Sequence, residues 1–178
     1  RHNMFNAVTA LGMAILVGAP INCLPKALKS FRGVKRRFSY KIKKNNLILI
    51  DDYAHHPTEI KALHQAVTEM YPNDKKQIVF QPHLFSRTKD FGTEFAESLS
   101  AFDEIILLDI YPAREKPIEG ITSNWLLKMI RNDSKVIAQK KQLSTLMKDS
   151  DCMVKLMVGA GDIGAEVDVV TKNLNYEN

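Results

Sequence analysis

A regular alternation of short apolar segments and helix-forming segments, from about residue 47 to the end of the chain, constrains the fold most. Residues 47–50 and 78–80 are apolar at every position rather than at every second one, and residues 153–158 are nearly so. Strands of this kind are buried on both faces, as in a parallel sheet covered by helices. The pattern therefore predicts an α/β fold with a doubly wound, mostly parallel sheet and helices on both faces.

The alternation also assigns approximate bounds to each element. The predicted strands span residues 38–43, 47–50, 78–80, 105–110, 136–138 and 153–158. Pro57 is a favoured first helical residue, with Glu59 in the first turn of the helix that it opens. The positions of that helix that we expect to be buried are Ile60, Leu63, Val67 and Met70. A single later helix is predicted to carry Phe91, Phe95 and Leu99.

Residues 1–37 stand apart from this pattern. Helices are predicted over residues 2–17 and 25–31, and a basic cluster at residues 35–37 marks a domain boundary before a domain at residues 38–178. The first helix is expected to bury an apolar face formed by Met4, Phe5, Val8, Leu11 and Ile15. A secretory signal is the alternative interpretation of this stretch. Because the chain begins with Arg1, we expect it to be a piece of a longer protein.

Composition excludes several classes of protein. The 178 residues include 25 Lys and Arg against 20 Asp and Glu, a small excess, and no aromatic residues are interleaved with the basic clusters. Cys23 and Cys152 are too few for a disulfide framework, which favours a reducing, cytoplasmic setting. The longest apolar stretch, residues 7–21, falls short of the roughly 20 residues that span a bilayer. We therefore expect neither a nucleic-acid partner nor a membrane partner.

Polar residues collect directly after the predicted strands. Residues 51–57, 81–88, 111–115 and 159–164 together hold three of the five histidines, two arginines and a pair of carboxylates. Ligands of parallel sheets bind beyond the carboxyl ends of the strands. We therefore expect these four segments to converge on one rim of the sheet.

The segment at residues 51–57 allows three interpretations. Asp51, Asp52, His55 and His56 resemble the ligands of phosphoesterases that hold two metal ions, although no other segment supplies the remaining ligands. Alternatively, Asp51 or His56 caps the helix that follows. A cap uses only one side chain, so Asp52, Tyr53 and His55 remain available for function. We expect no metal ion to be bound by this chain.

Residues 159–164 match G-x-G-x-x-G, follow an apolar strand and open a helix. A dinucleotide site also needs a further strand that ends in an acidic residue about 20 positions on, and only fourteen residues follow Gly164. This favours a tight turn with close helix packing, with a stand-alone nucleotide-binding module as the alternative. The 178 residues contain no Walker A sequence for a triphosphate.

Five ordered motifs resemble the Mur ligases. They are His2-Asn3-x-x-Asn6-Ala7, Phe31-x-Gly33-Val34-x-Arg36-Arg37-Phe38, residues 51–59, Phe80-Gln81-Pro82-His83 with Ser86-Arg87-Thr88, and Tyr111-Pro112-Ala113-Arg114-Glu115. The last two narrow the resemblance to the members that join L-alanine to UDP-N-acetylmuramate. The resemblance implies that residues 1–37 are the terminal helices of a truncated central ATPase domain plus a hinge. It also implies that residues 38–178 are a carboxyl-terminal, Rossmann-like domain that binds the amino acid.

The resemblance further implies an activity and a set of partners. ATP phosphorylates the carboxylate of the muramic acid, the amino group of L-alanine attacks the acyl phosphate, and Mg²⁺ is required. The partners are then UDP-N-acetylmuramate, L-alanine, ATP and the missing domains of the same protein. The alternative within the family is the recycling ligase, which joins a preformed tripeptide to the same sugar nucleotide. That ligase usually has Phe where this chain has Tyr53, which favours L-alanine.

The resemblance assigns roles to individual residues. Those similar to the family's catalytic hinge-region residues are Arg37 and Asp52. Those similar to nucleotide-proximal residues are His2, Asn3 and Asn6. Those similar to the lining of the amino-acid pocket are Tyr53, His55, His83 and Arg87. Many relatives carry Arg at the position of Leu84, so Arg87 is the expected ligand of the alanine carboxylate in this chain.

Overall fold

The structure, a computed structural model, describes residues 2–31 and 33–175, with the side chains of residues 2 and 3 outside that description. The chain forms two compact units, Arg1–Val34 and Lys35–Asn178. The sequence predicted the boundary between residues 37 and 38, within the same basic segment.

The first unit contains helix α1 (His2–Leu16), a 3₁₀ turn (Ile21–Cys23) and helix α2 (Leu24–Ser30). Met4, Phe5 and Val8 are 72%, 70% and 65% exposed. Two helices and a turn offer too little chain to enclose an apolar core, so the prediction that α1 buries this face is wrong for the chain as it stands. No helix of the described residues is both long enough and apolar enough to cross a membrane.

The second unit is built on a six-stranded sheet in the order β1-β2-β6-β3-β4-β5. The strands are β1 (Ser39–Lys43), β2 (Ile48–Asp52), β3 (Lys76–Phe80), β4 (Glu104–Leu107), β5 (Lys135–Ile137) and β6 (Val154–Val158). β1 runs antiparallel to β2, and the other neighbouring pairs are parallel. The predicted mostly parallel sheet is confirmed.

Helices cover both faces of this sheet, as predicted. They are α3 (Pro57–Met70), α4 (Phe85–Asp90), α5 (Gly92–Leu99), α6 (Ser123–Met129), α7 (Leu143–Asp149) and α8 (Ile163–Asn175). Neighbouring residues of a strand point to opposite faces, and the core accordingly forms two clusters. Ile78 packs in the cluster under α3, α5 and α6, whereas Val79 packs in the cluster under α7 and α8.

Helix α3 follows the sequence prediction closely, except at its end. It begins at Pro57, and its buried residues include Ile60, Leu63 and Val67. Met70 is 50% exposed because it lies in the last turn, so its predicted burial is wrong.

The single helix predicted around Phe91 is two helices, since α4 ends at Asp90 and α5 begins at Gly92. A Cβ atom on Gly92 would lie 2.4 Å from a ring carbon of Trp125. Close contact with α6 therefore fixes the start of α5, which periodicity within the segment does not reveal.

Candidate functional site

The four polar segments converge at the carboxyl ends of the parallel strands, as the sequence predicts. β2, β6, β3 and β4 lie side by side there. The Gly159 N–H donates to the Asp52 carbonyl at 3.1 Å, and the Leu84 N–H donates to the Tyr111 carbonyl at 2.9 Å. These main-chain bonds join the loops of neighbouring strands into one continuous rim.

A partly buried ion pair fixes the chain entering the second unit against this rim. Arg36 Nε donates to Asp51 Oδ1 at 3.1 Å, and Arg36 Nη2 donates to the Gly159 carbonyl at 2.7 Å. The guanidinium carbon lies 5.2 Å from the centre of the Tyr53 ring. Asp51 is only 1% exposed; burial raises the pKa of its carboxyl, and the charge of Arg36 opposes that rise. Asp51 therefore holds Arg36 and does not cap α3.

The sequence reasoning missed Arg36 because the resemblance directed attention to Arg37. One signal was available, since Gly164 leaves the space that the guanidinium occupies. A Cβ atom there would lie 2.6 Å from Arg36 Nη1. A glycine in the first turn of a buried helix is a reason to look for a large neighbouring side chain.

Asp52 organises the turn that leads into β1. Its Oδ2 accepts the Phe38 N–H at 2.7 Å, and its Oδ1 accepts the Ala54 N–H at 2.8 Å. Phe38 has a φ of +47°, a left-handed conformation that is uncommon outside glycine. Burial raises the pKa of Asp52, while these two hydrogen bonds and the charge of Arg37 oppose that rise. Arg37 is exposed beside this turn.

The two adjacent histidines do different work. His56 caps α3 by accepting the Thr58 N–H, and the Glu59 carboxylate accepts the N–H groups of His55 and His56 at 2.8 and 3.1 Å. His55 Nδ1 lies 2.9 Å from the Tyr53 carbonyl. A carbonyl only accepts, so Nδ1 of His55 carries the proton. Of the two residues predicted as the cap, Asp51 and His56, the structure has His56 in that role, and His55 remains on the rim.

Four rings form a row along the rim, which we call the aromatic row: Tyr53, His55, His83 and Tyr111. Successive ring centres are 5.5, 6.3 and 5.6 Å apart. The members come from the loops after β2, β3 and β4, so the row crosses three strand ends. Because the rings are tilted against one another, the row offers both ring faces and ring edges for packing against a small ligand.

Two polar atoms beside this row are buried and have no hydrogen-bond partner among the described residues. They are His83 Nδ1 and Arg87 Nη1. Burial and the charges of Arg87 and His55 lower the pKa of His83, which keeps its ring neutral at pH 7. Since buried polar groups are nearly always bonded, a guanidinium N–H left free marks a place for an anionic oxygen. The rim can therefore hold a carboxylate against the aromatic row.

The glycine-rich segment at residues 159–164 is a packing turn, as predicted. Gly159 has a φ of +144°, and a Cβ atom on Gly161 would lie 2.4 Å from Gln81 Oε1. That side chain is buried; its Oε1 accepts the Ile163 N–H at 2.8 Å and its Nε2 donates to Asp162 at 2.7 Å. Gln81 thus fills the space where a dinucleotide fingerprint would admit a pyrophosphate.

The donor chemistry does not fit a metal site at residues 51–56. Asp51 is paired with Arg36, and both oxygens of Asp52 accept backbone N–H groups. Among the described residues, the group that could hold a metal ion is Glu104, Asp151 and Cys152. It lies at the amino end of β4, away from the rim, and Lys75 already pairs with Asp151 at 2.8 Å.

The fold and the rim define the class of protein: an α/β domain whose polar loop residues gather beyond the carboxyl ends of a mostly parallel sheet, the place where such domains bind their ligands. The chain belongs to the Mur ligase family, since the family model described as "Mur ligase, glutamate ligase domain" matches residues 36–162.

Several relatives are closely similar over nearly the whole chain. The UDP-N-acetylmuramate–L-alanine ligase of Christiangramia forsetii is 64% identical over 99% of this chain, and that of Parabacteroides distasonis is 43% identical over 97%. The crystal structure of the UDP-N-acetylmuramate–alanine ligase from Thermotoga maritima matches with a TM-score of 0.76 and 30% identity, over 99% of this chain and 38% of that one. The chain spans about 39% of the length of the first of these relatives.

A murein peptide ligase from Psychrobacter arcticus matches with a TM-score of 0.69 at 18% identity, over 99% of this chain and 38% of that one. This likeness shows the shared fold alone.

Proposed function

We propose that this chain is the carboxyl-terminal part of a cytoplasmic, ATP-dependent ligase that joins L-alanine to UDP-N-acetylmuramate in peptidoglycan synthesis. In this proposal the described rim binds the amino acid and closes over ATP held by the rest of the protein. The observation that carries the proposal is the buried Nη1 of Arg87 beside the aromatic row, which has no hydrogen-bond partner in the described part of the chain. The similarity to curated relatives that bear this activity in their names supports it.

Each group of an amino acid finds a suitable chemical partner on the rim. Its carboxylate accepts from Arg87, and its side chain faces the rings of Tyr53, His55 and His83. A methyl group is small enough to lie against such a wall, and steric selection between small apolar substrates contributes about 1 to 3 kcal/mol. The neutral ring of His83 can accept a proton from the substrate's ammonium group, which must become an amine before it attacks. The amide forms as the amino nitrogen bonds to the acyl carbon and phosphate leaves.

The residues proposed to act near ATP are Arg37 and Asp52. Arg37 is exposed, so its guanidinium is accessible to phosphate oxygens, which it can bind in a bidentate manner. Asp52 holds the turn that carries Arg37 through its two backbone hydrogen bonds. Because the carboxylates of residues 51 and 52 are occupied, the Mg²⁺ that neutralises phosphate charge during transfer would be held elsewhere in the protein.

The nucleotide-proximal assignments on α1 remain proposals. The side chains of His2 and Asn3 lie outside the described residues, and Asn6 is exposed on α1. An exposed amide side chain is available for a nucleotide.

The test is an amide-forming assay on the full-length protein that contains this chain. The protein is supplied with UDP-N-acetylmuramate, ATP and Mg²⁺, and with either L-alanine or the preformed tripeptide, and the products are identified by mass spectrometry. We expect product with L-alanine and at most traces with the tripeptide. Product with the tripeptide alone would establish the recycling ligase instead.

Arg37→Ala and Asp52→Asn are each expected to lower turnover of the full-length protein by about tenfold or more, which corresponds to roughly 1.4 kcal/mol of transition-state stabilisation. Asparagine retains one oxygen for the turn at Phe38, so the Asp52 variant should still fold. Lys35→Ala removes a neighbouring exposed cation as the control. Near-normal turnover in either variant would remove that residue from the proposed site.

A further inference from the structure

Helix α4, which carries Arg87, begins at a strained residue and has no side-chain cap from its own segment. Leu84 precedes it with a φ of +74° and makes no capping hydrogen bond. The Leu84 N–H donates to the Tyr111 carbonyl at 2.9 Å, and the Leu84 carbonyl accepts the Thr88 hydroxyl at 2.8 Å. Because α4 has only six residues, its start depends on contacts from outside the helix.

Glu115, in the loop after β4, supplies the missing cap. Its Oε2 accepts the Ser86 N–H at 3.0 Å and its Oε1 accepts the Ser86 hydroxyl at 2.5 Å. These bonds, with a further one from the Phe85 N–H, lower the pKa of Glu115, so the carboxylate is charged at neutral pH. One side chain from a different loop therefore satisfies the first turn of α4.

The capped turn lies directly beside the anion-binding arginine. Arg87 follows Ser86 in the chain, and its charge acts on both Glu115 and His83. Glu115 accepts hydrogen bonds from Ser86, while Arg87 Nη1 stays without a partner among the described residues. The carboxylate thus balances the charge of Arg87 and leaves that nitrogen free for a ligand.

We infer that Glu115 is a positioning residue of the amino-acid site, which orients Arg87 by fastening the first turn of α4 to the loop after β4. The inference rests on the proposed function, and it assigns a role to the last residue of the 111–115 motif. The contact between Glu115 and Ser86 matters for Arg87 because small displacements of a binding group greatly weaken an oriented contact. Loss of the cap should therefore weaken binding of the amino acid and spare ATP.

The experiment is steady-state kinetics of the full-length protein with Glu115→Gln. Glutamine has the same length but is uncharged, and it offers one acceptor oxygen where the carboxylate offers two, so its NH₂ group cannot accept from the second Ser86 donor. We expect the KM for L-alanine to rise about fivefold or more, with the KM for ATP and the turnover number within about twofold of wild type. Glu119→Gln removes an exposed carboxylate from the same loop as the matched control. Glu115→Asp retains the charge and should restore part of the affinity.

The outcomes separate this inference from the proposed function. The positioning role would be overturned if the KM values for L-alanine and ATP rose equally or if neither changed. It would also be overturned if Glu119→Gln had the same effect as Glu115→Gln. A wild-type protein that uses a different amino acid overturns the proposed function, and the same comparison is then made with that amino acid.

Should Glu115→Gln fail to fold, Ser86→Ala removes only the hydroxyl bond. A smaller, selective rise in the KM for the amino acid is then expected, and its absence would overturn the inference.

Discussion

Individual side chains on the rim differ in whether the protein itself satisfies them. Gln81 bonds to the Ile163 N–H and to the Asp162 carboxylate, and Asp52 accepts two backbone N–H groups. By contrast, His83 Nδ1 and Arg87 Nη1 have no partner among the residues that the structure describes. The first pair shapes the rim, and the second pair belongs to the amino-acid site that we propose. Substitutions at the second pair should therefore affect binding more than folding.

Arg87→Lys tests the proposed carboxylate contact. Lysine keeps the charge but lacks the planar pair of N–H donors that matches a carboxylate. In the full-length protein we expect the KM for L-alanine to rise about fivefold or more, with that for ATP nearly unchanged. Lys89→Arg, on the exposed side of the same helix, serves as the control. Equal weakening of L-alanine and ATP would place Arg87 at the phosphates.

His83 should titrate below the usual histidine value of 6.5, because burial and the charges of Arg87 and His55 disfavour its protonated form. The unfolded chain then binds this proton more readily than the folded chain. Between the lowered pKa and pH 6.5, this histidine makes the free energy of unfolding decrease as the pH falls. NMR titration of the histidine ring protons, with His83→Gln for assignment, measures the pKa directly. A value above 6.5 would contradict the burial of His83 beside Arg87.

At the scale of elements, the sequence predicted the features that depend on neighbouring residues in the chain. It missed those that depend on contacts between separate elements. The apolar runs located the strands, and Pro57 with Glu59 located the start of α3. The break before α5 depends on contact between Gly92 and Trp125, which lie far apart in the chain.

Local chemistry in the sequence does not decide between the two adjacent arginines, and Gly164 indicates only that a large side chain lies nearby. The backbone turn, with a φ of +58° at Arg36, directs that side chain into the rim and leaves Arg37 exposed. The proposed pocket residues followed from the resemblance, whereas their unpartnered atoms required the structure.

The close packing of the glycine turn between β6 and α8 predicts that a side chain larger than glycine there will lower the stability of the protein. Gly161→Ala places a methyl group 2.4 Å from Gln81 Oε1 and 2.7 Å from Tyr111 Cβ. Crowding of this kind costs about 1 to 3 kcal/mol, measurable as a lower denaturant midpoint. Gly12→Ala is the control, because nothing lies within 4 Å of its Cβ position. It should stabilise α1 by up to about 1 kcal/mol. Equal midpoints for Gly161→Ala and wild type would show that the turn can relax.

At the scale of the whole molecule, the sequence and the rim predict whether the 178-residue chain can act on ATP by itself. Its 178 residues contain no Walker A sequence, and the rim is proposed here as a carboxylate site, not as a site for a triphosphate. We expect no release of phosphate above background when the 178-residue chain is mixed with millimolar ATP and L-alanine. Release that disappears in Asp52→Asn would show that this chain carries the phosphoryl chemistry.

The strand order has a consequence for synthesis. β6 is the last strand to be made, yet it lies between β2 and β3. On the ribosome, β1 can pair with β2, β3 can pair with β4, and β4 can pair with β5, but the two half-sheets have no strand between them to join them. Each presents an open apolar edge, the kind of surface that templates aggregation and is shielded by chaperones. The nascent chain keeps both edges open until residues 154–158 emerge, and the aromatic row cannot assemble before then.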